Sequence, residues 1–343
     1  MGLPPDVLPF VSHSWGPSQG GRWRGASDGL AEGDASRQRE RMAPTRSLRS
    51  ALFVPAASNR ALAKSSGLGA DALLFDLEDS VAPEAKERAR EDLRDHLAGL
   101  RAGPRGARRI VRINAFSGPF GTEDFLMARG AADPSRGGVG AILLPKVESV
   151  QDVSLVAEAL AETDAPADLR LWAMIETPKG ILAAEEIARS SARLEALVVG
   201  PNDIVAATGL RPSPGRPELV PWLMRIVLAA KAEGLAVLDG VFNDYRDAEG
   251  LAAECAAARA MGFDGKTLIH PSQIEPANHA FAPSAAETRE ARAIIAAFGL
   301  PENAGRGVVG IDGRMVERLH LAAAERIVAL AEAIETFSTR REP

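Results

Sequence analysis

The sequence predicts a (β/α)8 TIM barrel, class α/β, that carries a C-terminal helical appendage or lid. Eight short apolar runs alternate with stretches of helical periodicity between residues 50 and 270. The runs are continuously apolar instead of alternating with polar residues, the pattern of parallel strands covered on both faces. The first strand-to-helix turn, PAASNRA, contains no Gly-x-Gly-x-x-Gly, which counts against an open dinucleotide-binding sheet.

The eight runs are ALFVP (51–55), DALLFDLE (71–78), RIVRIN (109–114), AILLPKV (141–147), RLWAMIET (170–177), ALVVGPND (196–203), AVLDGVFND (236–244) and KTLIH (266–270). Strands alternating with helices fold as parallel units with right-handed crossovers, and eight of them close into a barrel. The clearest helix runs from Pro83, with Ala85, Ala89, Leu93 and Leu97 on one face. Pro83 suits its first turn and Gly99 its end. Beyond residue 270, helical runs at 272–281 and 284–298 lead to ENAGRGVVGIDGR. The last helix repeats Val316, Leu319, Ala323, Ile327, Leu330, Ile334 and Phe337 at helical spacing. That apolar stripe must pack on its own barrel or on a neighbouring subunit. The expected organisation is a disordered extension over 1–45, a barrel over 46–281 and a lid or oligomerisation segment over 282–343. The extension, rich in Gly, Ser and Arg, also reads as an over-extended start with Met42 as the initiator.

Composition narrows the function classes. Of the 343 residues, 46% are hydrophobic and 25% charged, the balance of a globular protein. A formal charge of −6 argues against nucleic-acid binding, which needs a basic footprint. No run approaches the roughly 18 apolar residues of a membrane span. The single cysteine, Cys255, lies in a helical run with no histidine or acid that would activate it, so it reads as a small core residue. One thiol cannot form an internal disulfide, and the expected compartment is the cytoplasm.

In a TIM barrel the chemistry sits at the C-terminal ends of the strands. Those ends carry Glu78 and Asp79, Arg112 and Asn114, Lys146 and Glu148, Glu176, Asp203, Asp244 and His270. So many acids in one mouth repel unless a cation joins them, and Mg²⁺ suits a site of one or two carboxylates plus water and substrate oxygens. Glu176 and Asp203, on adjacent strands, are the candidate Mg²⁺ ligands. The competing reading makes the strand-end acids helix caps. It fits Asp79, ahead of Pro83, and fits Glu176 poorly, because Thr177 and Pro178 already supply a cap and a first turn. Arg112, inside an apolar strand, calls for an anionic partner. Glu78 would make it structural; a substrate oxyanion would make it functional. His270, followed by Pro271, reads as structural.

At this point the chain resembles a known family. RSALFVPAASNRALAKSSGLGADALLFDLEDSVAP, VRINAFSGPFGTEDF, ILLPKVES, MIETPKGI, LDGVFNDYRDAEG and GFDGKTLIHPSQIEPANHAFAPS follow, in order, the pattern of the citrate lyase β-subunit and malyl-CoA lyase family, over about residues 46 to 336. The resemblance implies a TIM barrel assembled as homotrimers or homohexamers. It implies Mg²⁺ on Glu176 and Asp203, Arg112 on the substrate, and coenzyme A held by Arg60 and Lys64. Glu78, Asp79 and Lys146 would support the site. The implied reaction cleaves or forms a 3-hydroxyacyl-CoA, such as malyl-CoA, methylmalyl-CoA or citramalyl-CoA, with a 2-oxoacid as the other product. A malyl-CoA-type thioesterase and a class II pyruvate aldolase without coenzyme A are the alternatives.

Three positions depart from the family pattern. Ala56 replaces a glycine, and Gly200-Pro201-Asn202-Asp203 follows the wording of class II pyruvate aldolases. Glu317, in Met315-Val316-Glu317, stands where lyases carry a catalytic lid aspartate. The extra methylene moves that carboxylate by roughly an ångström, a misplacement that can matter about 10²-fold. Asp312 is the nearby alternative.

Overall fold

The computed structural model describes residues 47–100, 106–133, 138–311 and 313–339. The expected N-terminal extension and Asp312 lie outside the described residues. The eight apolar runs form β1 (Ser50–Pro55), β2 (Ala72–Asp76), β3 (Arg108–Arg112), β4 (Ala141–Leu144), β5 (Arg170–Ile175), β6 (Leu194–Val199), β7 (Ala236–Asp239) and β8 (Gly265–Leu268). All pair in parallel in chain order, and β1 pairs with β8, Ser50 opposite Lys266, to close the barrel.

Successive side chains of each strand take opposite faces, so a continuous apolar run fills two cores. Leu74, Ile110, Leu143, Trp172, Met174, Val198 and Leu238 fill the barrel interior. Their neighbours Phe75, Val111, Ile142, Ala173, Val199 and Val237 pack outward beneath the helices. The N-terminal end of the barrel is tied by Asp71, which accepts from Arg49 N, Nε and Nη2 at 2.8–2.9 Å, all buried. Asp71→Ala would strand a buried guanidinium. The expected cost is about 3–5 kcal/mol, read as a lower denaturation midpoint with no change in slope.

The helices follow from local signals. Helix α1 (Asn59–Ser65) is capped by Ser58, whose Oγ accepts from Ala61 N. The helix expected from Pro83 begins later: Pro83–Ala85 form a tight 3₁₀ turn, and α2 runs Lys86–Gly99 with Ala89, Leu93 and Leu97 buried. Proline fixes its own φ but leaves the turn free to tighten before the regular helix starts. Next come α3 (Gly121–Gly130), α4 (Val150–Glu162), α5 (Pro178–Leu182) and α6 (Ala184–Ala188). The outer ring is completed by α7 (Pro201–Thr208), α8 (Val220–Ala232) and α9 (Ala248–Met261). α10 (Ile274–Phe281) packs on β8 and β1. Cys255 on α9 is buried, and burial pushes its thiol up to about 11, in keeping with a core residue.

The appendage comprises α11 (Ala285–Gly299), an antiparallel hairpin of β9 (Val308–Ile311) and β10 (Arg314–Glu317), and α12 (Arg318–Thr339). Val316, expected at the head of the last helix, lies in β10, and Leu319 is 63% exposed. The hairpin and α12 pack on α11 and on each other, without extensive packing against any barrel strand. The apolar stripe is therefore only partly covered within one chain. No helix among the described residues is long and apolar enough to cross a membrane.

Candidate active site and metal centre

The inward-facing rows of the interior core lead up to the barrel mouth, and two residues beyond five of their members comes a polar group or a glycine. Asp76 follows Leu74, Arg112 follows Ile110, Glu176 follows Met174, Gly200 follows Val198 and Gly240 follows Leu238. The strands end earlier than the apolar runs implied. Glu78, Asn114 and Lys146 thus stand on the loops, and Asp203 in the first turn of α7. A carboxylate in a first helical turn is favoured by the helix dipole.

Arg112 is buried and held as a fork. Its Nε and Nη2 each donate to one oxygen of Asp76 at 2.7 Å. Its Nη1 faces Glu78 Oε2 at 3.0 Å and Met174 Sδ at 3.8 Å, and the ring of Phe53 lies 4.9 Å from its guanidinium carbon. Burial opposes both charges of the fork. The pair nevertheless holds Asp76 below the ordinary carboxylate range and Arg112 above the ordinary guanidinium range. Asp76 is therefore the main structural partner of Arg112, a role the sequence reading had given to Glu78. Asp76 also accepts from the backbone N–H groups of Glu78 (2.9 Å) and Ser80 (3.1 Å), shaping the loop that carries the other two acids. Lys86 supports that loop from below, donating to the carbonyls of Leu77 (2.9 Å) and Glu78 (2.7 Å).

Lys146 links the acids across the mouth. Its ammonium donates to Glu78 and lies 3.4 Å from Asp79. Its backbone takes φ 49°, a left-handed conformation a lysine rarely adopts, and its N–H points at Glu176 Oε1, 2.7 Å away. Burial works against the ammonium, yet Glu78 pushes the Lys146 pKa up. Burial also raises the Glu78 carboxyl, and the pull of Arg112 and Lys146 does not fully offset it. Asp79 was expected to fit a helix cap. It makes no such bond: the turn after it is capped by no side chain, and Asp79 stays half-exposed beside Arg112 and Lys146.

Glu176 is fully buried. Thr177 caps α5, its Oγ1 accepting from Gly180 N at 3.1 Å, so Glu176 is left free of capping. Burial, then the nearby Asp203 carboxylate, push its carboxyl up to about 7. Its Oε2 is buried with no hydrogen-bond partner. A buried carboxylate oxygen without a donor is costly, and a hard cation is the natural occupant beside it. Among the described residues there is no cluster of three or more His, Cys, Asp or Glu donors. The donor set is two carboxylates, which fits Mg²⁺ with its retained waters better than zinc or calcium.

Arg112, Glu78, Asp79, Lys146, Glu176 and Asp203 thus come together at one barrel mouth. Arg60 and Lys64 lie exposed on α1, the helix that follows β1. Glu317 ends β10 on the appendage, exposed, its N–H donating to His320 Nδ1 at 3.0 Å. Nothing within one chain brings it to the mouth. His270, expected to be structural, makes local contacts: Nδ1 accepts from Ser272 N and pairs with Ser272 Oγ at 2.8 Å, and the ring stacks on Tyr245. The residues the sequence reading missed are Asp76 as the clamp of Arg112, and Lys86. A lysine opening a helix two turns after a strand of acids was the available signal for the second.

Known proteins share this arrangement of chain. The sequence model of HpcH/HpaI aldolase/citrate lyase matches residues 49–271. A (3S)-malyl-CoA thioesterase of Cereibacter sphaeroides strain KD131 is 46% identical over 290 residues, 84% of this chain and 96% of that protein. The citrate lyase subunit beta of Escherichia coli K12 is 34% identical, over 84% of this chain and 94% of that one. Among solved structures, CitE of Mycobacterium tuberculosis in complex with magnesium, acetoacetate and coenzyme A matches with a TM-score of 0.65 and 32% identity. That match covers 85% of this chain and 99% of CitE.

Proposed function

The chain belongs to the HpcH/HpaI aldolase/citrate lyase family, and from that premise we propose a Mg²⁺-dependent enzyme that hydrolyses the coenzyme A thioester of a 3-hydroxy dicarboxylic acid of the malyl type. The observation that carries the reading is the clamped Arg112 at the mouth where the buried Oε2 of Glu176 has no partner. The 46% identity to a (3S)-malyl-CoA thioesterase supports hydrolysis as the reaction.

Glu176 and Asp203 would hold the metal, which when bound supplies a Lewis acid for the hydroxyl and carboxylate oxygens of the acyl group. Arg112 does the charge work. The Asp76 fork uses its Nε and Nη2, and Nη1 faces the mouth, beside Glu78 at 3.0 Å, Asp79 at 3.6 Å and the Met174 sulfur. Its fixed positive edge is placed for the oxyanion that forms when water adds to the thioester carbonyl, with no reorganisation during the step. The carbon–sulfur bond then breaks, and coenzyme A leaves as the thiol while the acyl group becomes a carboxylate. Arg60 and Lys64 on α1 are the cations offered to the coenzyme's phosphates.

Carbon–carbon cleavage to an acyl-CoA and a 2-oxoacid is the second reading, supported by the relationship to citrate lyase β subunits. Arg112 would serve an enolate oxygen equally well. That reaction also needs an acid at the acyl carbon, which Glu317 would provide from a neighbouring subunit's lid. The same reading has the chain assembled as a homotrimer or homohexamer, with Met315 and Leu319, 78% and 63% exposed beside Glu317, covered by the partner.

Product analysis separates the two. With Mg²⁺ and malyl-CoA or citramalyl-CoA, hydrolysis releases free thiol without oxoacid, and lyase action releases oxoacid without thiol. Glu317→Ala is expected to change thiol release less than about threefold, a variation of under 1 kcal/mol in the barrier. Loss of turnover in that variant, with oxoacid as the wild-type product, establishes the lyase. Activity on free hydroxy-oxoacids, unaffected by removal of Arg60 and Lys64, would instead mark a pyruvate aldolase.

A further inference from the structure

Two glycines lie in close contact with Glu176 and with Pro201, the residue that opens the helix of Asp203. A Cβ on Gly200 falls 2.4 Å from Glu176 Oε2 and 2.5 Å from Glu176 Cβ. A Cβ on Gly240 falls 2.1 Å from Pro201 Cδ and 2.7 Å from the Val199 carbonyl. Neither glycine has a positive φ, so close approach, not backbone conformation, is what requires glycine there. Pro201 opens α7, the helix whose first turn carries Asp203. Gly200 therefore sets how near Glu176 can lie to the end of β6, and Gly240 sets how near β7 can lie to the start of the Asp203 helix.

Behind this ledge lies a buried cluster that the reaction does not use. Lys266 Nζ, fully buried on β8, donates to the Gly240 carbonyl at 2.5 Å, to Asp239 Oδ2 at 2.7 Å and to Glu254 Oε1 at 2.6 Å. Arg216, in the connection after α7, joins through Nη2 to Asp239 Oδ2 at 2.6 Å and lies 3.3 Å from Glu254 Oε2. Two cations and two anions balance there. Lys266 bonds the carbonyl of Gly240, the residue whose missing Cβ leaves room for the Pro201 ring, and Arg216 ties the connection that follows α7 to the same acids. Side chains behind metal ligands tune affinity by fixing the ligands' orientation.

We propose that Gly200 and Gly240 are positioning residues of the metal site, with Lys266 as the clamp that holds the ledge between Glu176 and Asp203. The proposal rests on the reading of Glu176 and Asp203 as metal ligands and adds what sets their spacing.

Mn²⁺ tests it in place of Mg²⁺, with binding read from the paramagnetic resonance of the free ion and folding from circular dichroism and cooperative melting. Gly240→Ala is expected to weaken Mn²⁺ binding about 10- to 100-fold in folded protein. Adding Pro201→Ala to that variant removes the Cδ that the new methyl meets, and should recover part of the loss. Lys266→Met, which leaves Asp239 and Glu254 with Arg216, is expected to weaken binding similarly. Folded Gly240→Ala with wild-type affinity, or a loss that Pro201→Ala does not relieve, overturns the proposal. Should Gly240→Ala not fold, Lys266→Met and Gly200→Ala decide by the same criterion, and wild-type affinity in either is the contrary result. A wild-type protein that takes up no Mn²⁺ removes the metal reading itself, an outcome distinct from wild-type binding that the variants leave untouched.

Discussion

Glu176→Gln is expected to abolish Mg²⁺-dependent turnover while making the metal-free protein more stable at neutral pH. The carboxyl is fully buried, its Oε2 has no donor, and Asp203 stands nearby, so its pKa rises from 4.5 to about 7. A carboxyl that holds its proton more tightly when folded contributes stability below its unfolded pKa, and that contribution is lost as pH rises through the folded value. The window here is pH 4.5 to about 7, and the loss across it is about 3 kcal/mol. Glutamine keeps the acceptor for the Lys146 N–H and carries no charge to bury. Metal-free Glu176→Gln should therefore melt several degrees above the wild type at pH 8 and within a degree or so of it at pH 4.5. Mg²⁺ should raise the wild-type melting temperature and leave the variant's unchanged, because a ligand stabilises only the state that binds it. A variant that melts lower at pH 8, or still responds to Mg²⁺, contradicts the assignment.

Arg112→Lys should lower kcat by about 10²–10³, the usual effect of removing a preorganised oxyanion donor. Charge is conserved, so a purely electrostatic anchor would tolerate the change. The geometry does not. Asp76 accepts two parallel bonds from one planar group, and an ammonium cannot supply that fork while also presenting a third nitrogen to the mouth, as Nη1 does. Steady-state kinetics with malyl-CoA read the effect, with KM expected to change much less than kcat. A variant whose KM rises while kcat holds would make Arg112 a binding residue only.

The barrel was legible because parallel strands buried on both faces leave continuous apolar runs, and all eight runs became strands. Their ends were less legible. MIET and GPND continue an apolar run in letters, but β5 stops at Ile175 and β6 at Val199, after which the chain turns into loop and helix. Parity explains why the site could still be read. Glu176 lies two residues past Met174, so the face that lines the interior also delivers the carboxylate to the mouth. Which acid would hold Arg112 was not legible. Asp76 and Glu78 have the same parity, and only the β2–β3 register, Asp76 opposite Arg112, decides between them. The hairpin at 308–317 was hidden because its strands are four residues long: β9 lies in the glycine-containing segment ENAGRGVVGIDGR, and Val316 of β10 falls in register with the apolar stripe of the last helix. The ledge of Gly200 and Gly240 depends on distances across strands, which no local pattern encodes.

The most direct test of the metal centre is a calorimetric titration of Mg²⁺ into wild-type protein beside Glu176→Gln and Asp203→Asn, at pH 8, where the Glu176 carboxyl is ionised. One saturable site is expected in the wild type and none in either variant, with all three proteins folded. Equal binding in the wild type and in either variant would place the metal elsewhere and rule out Glu176 and Asp203 as its ligands.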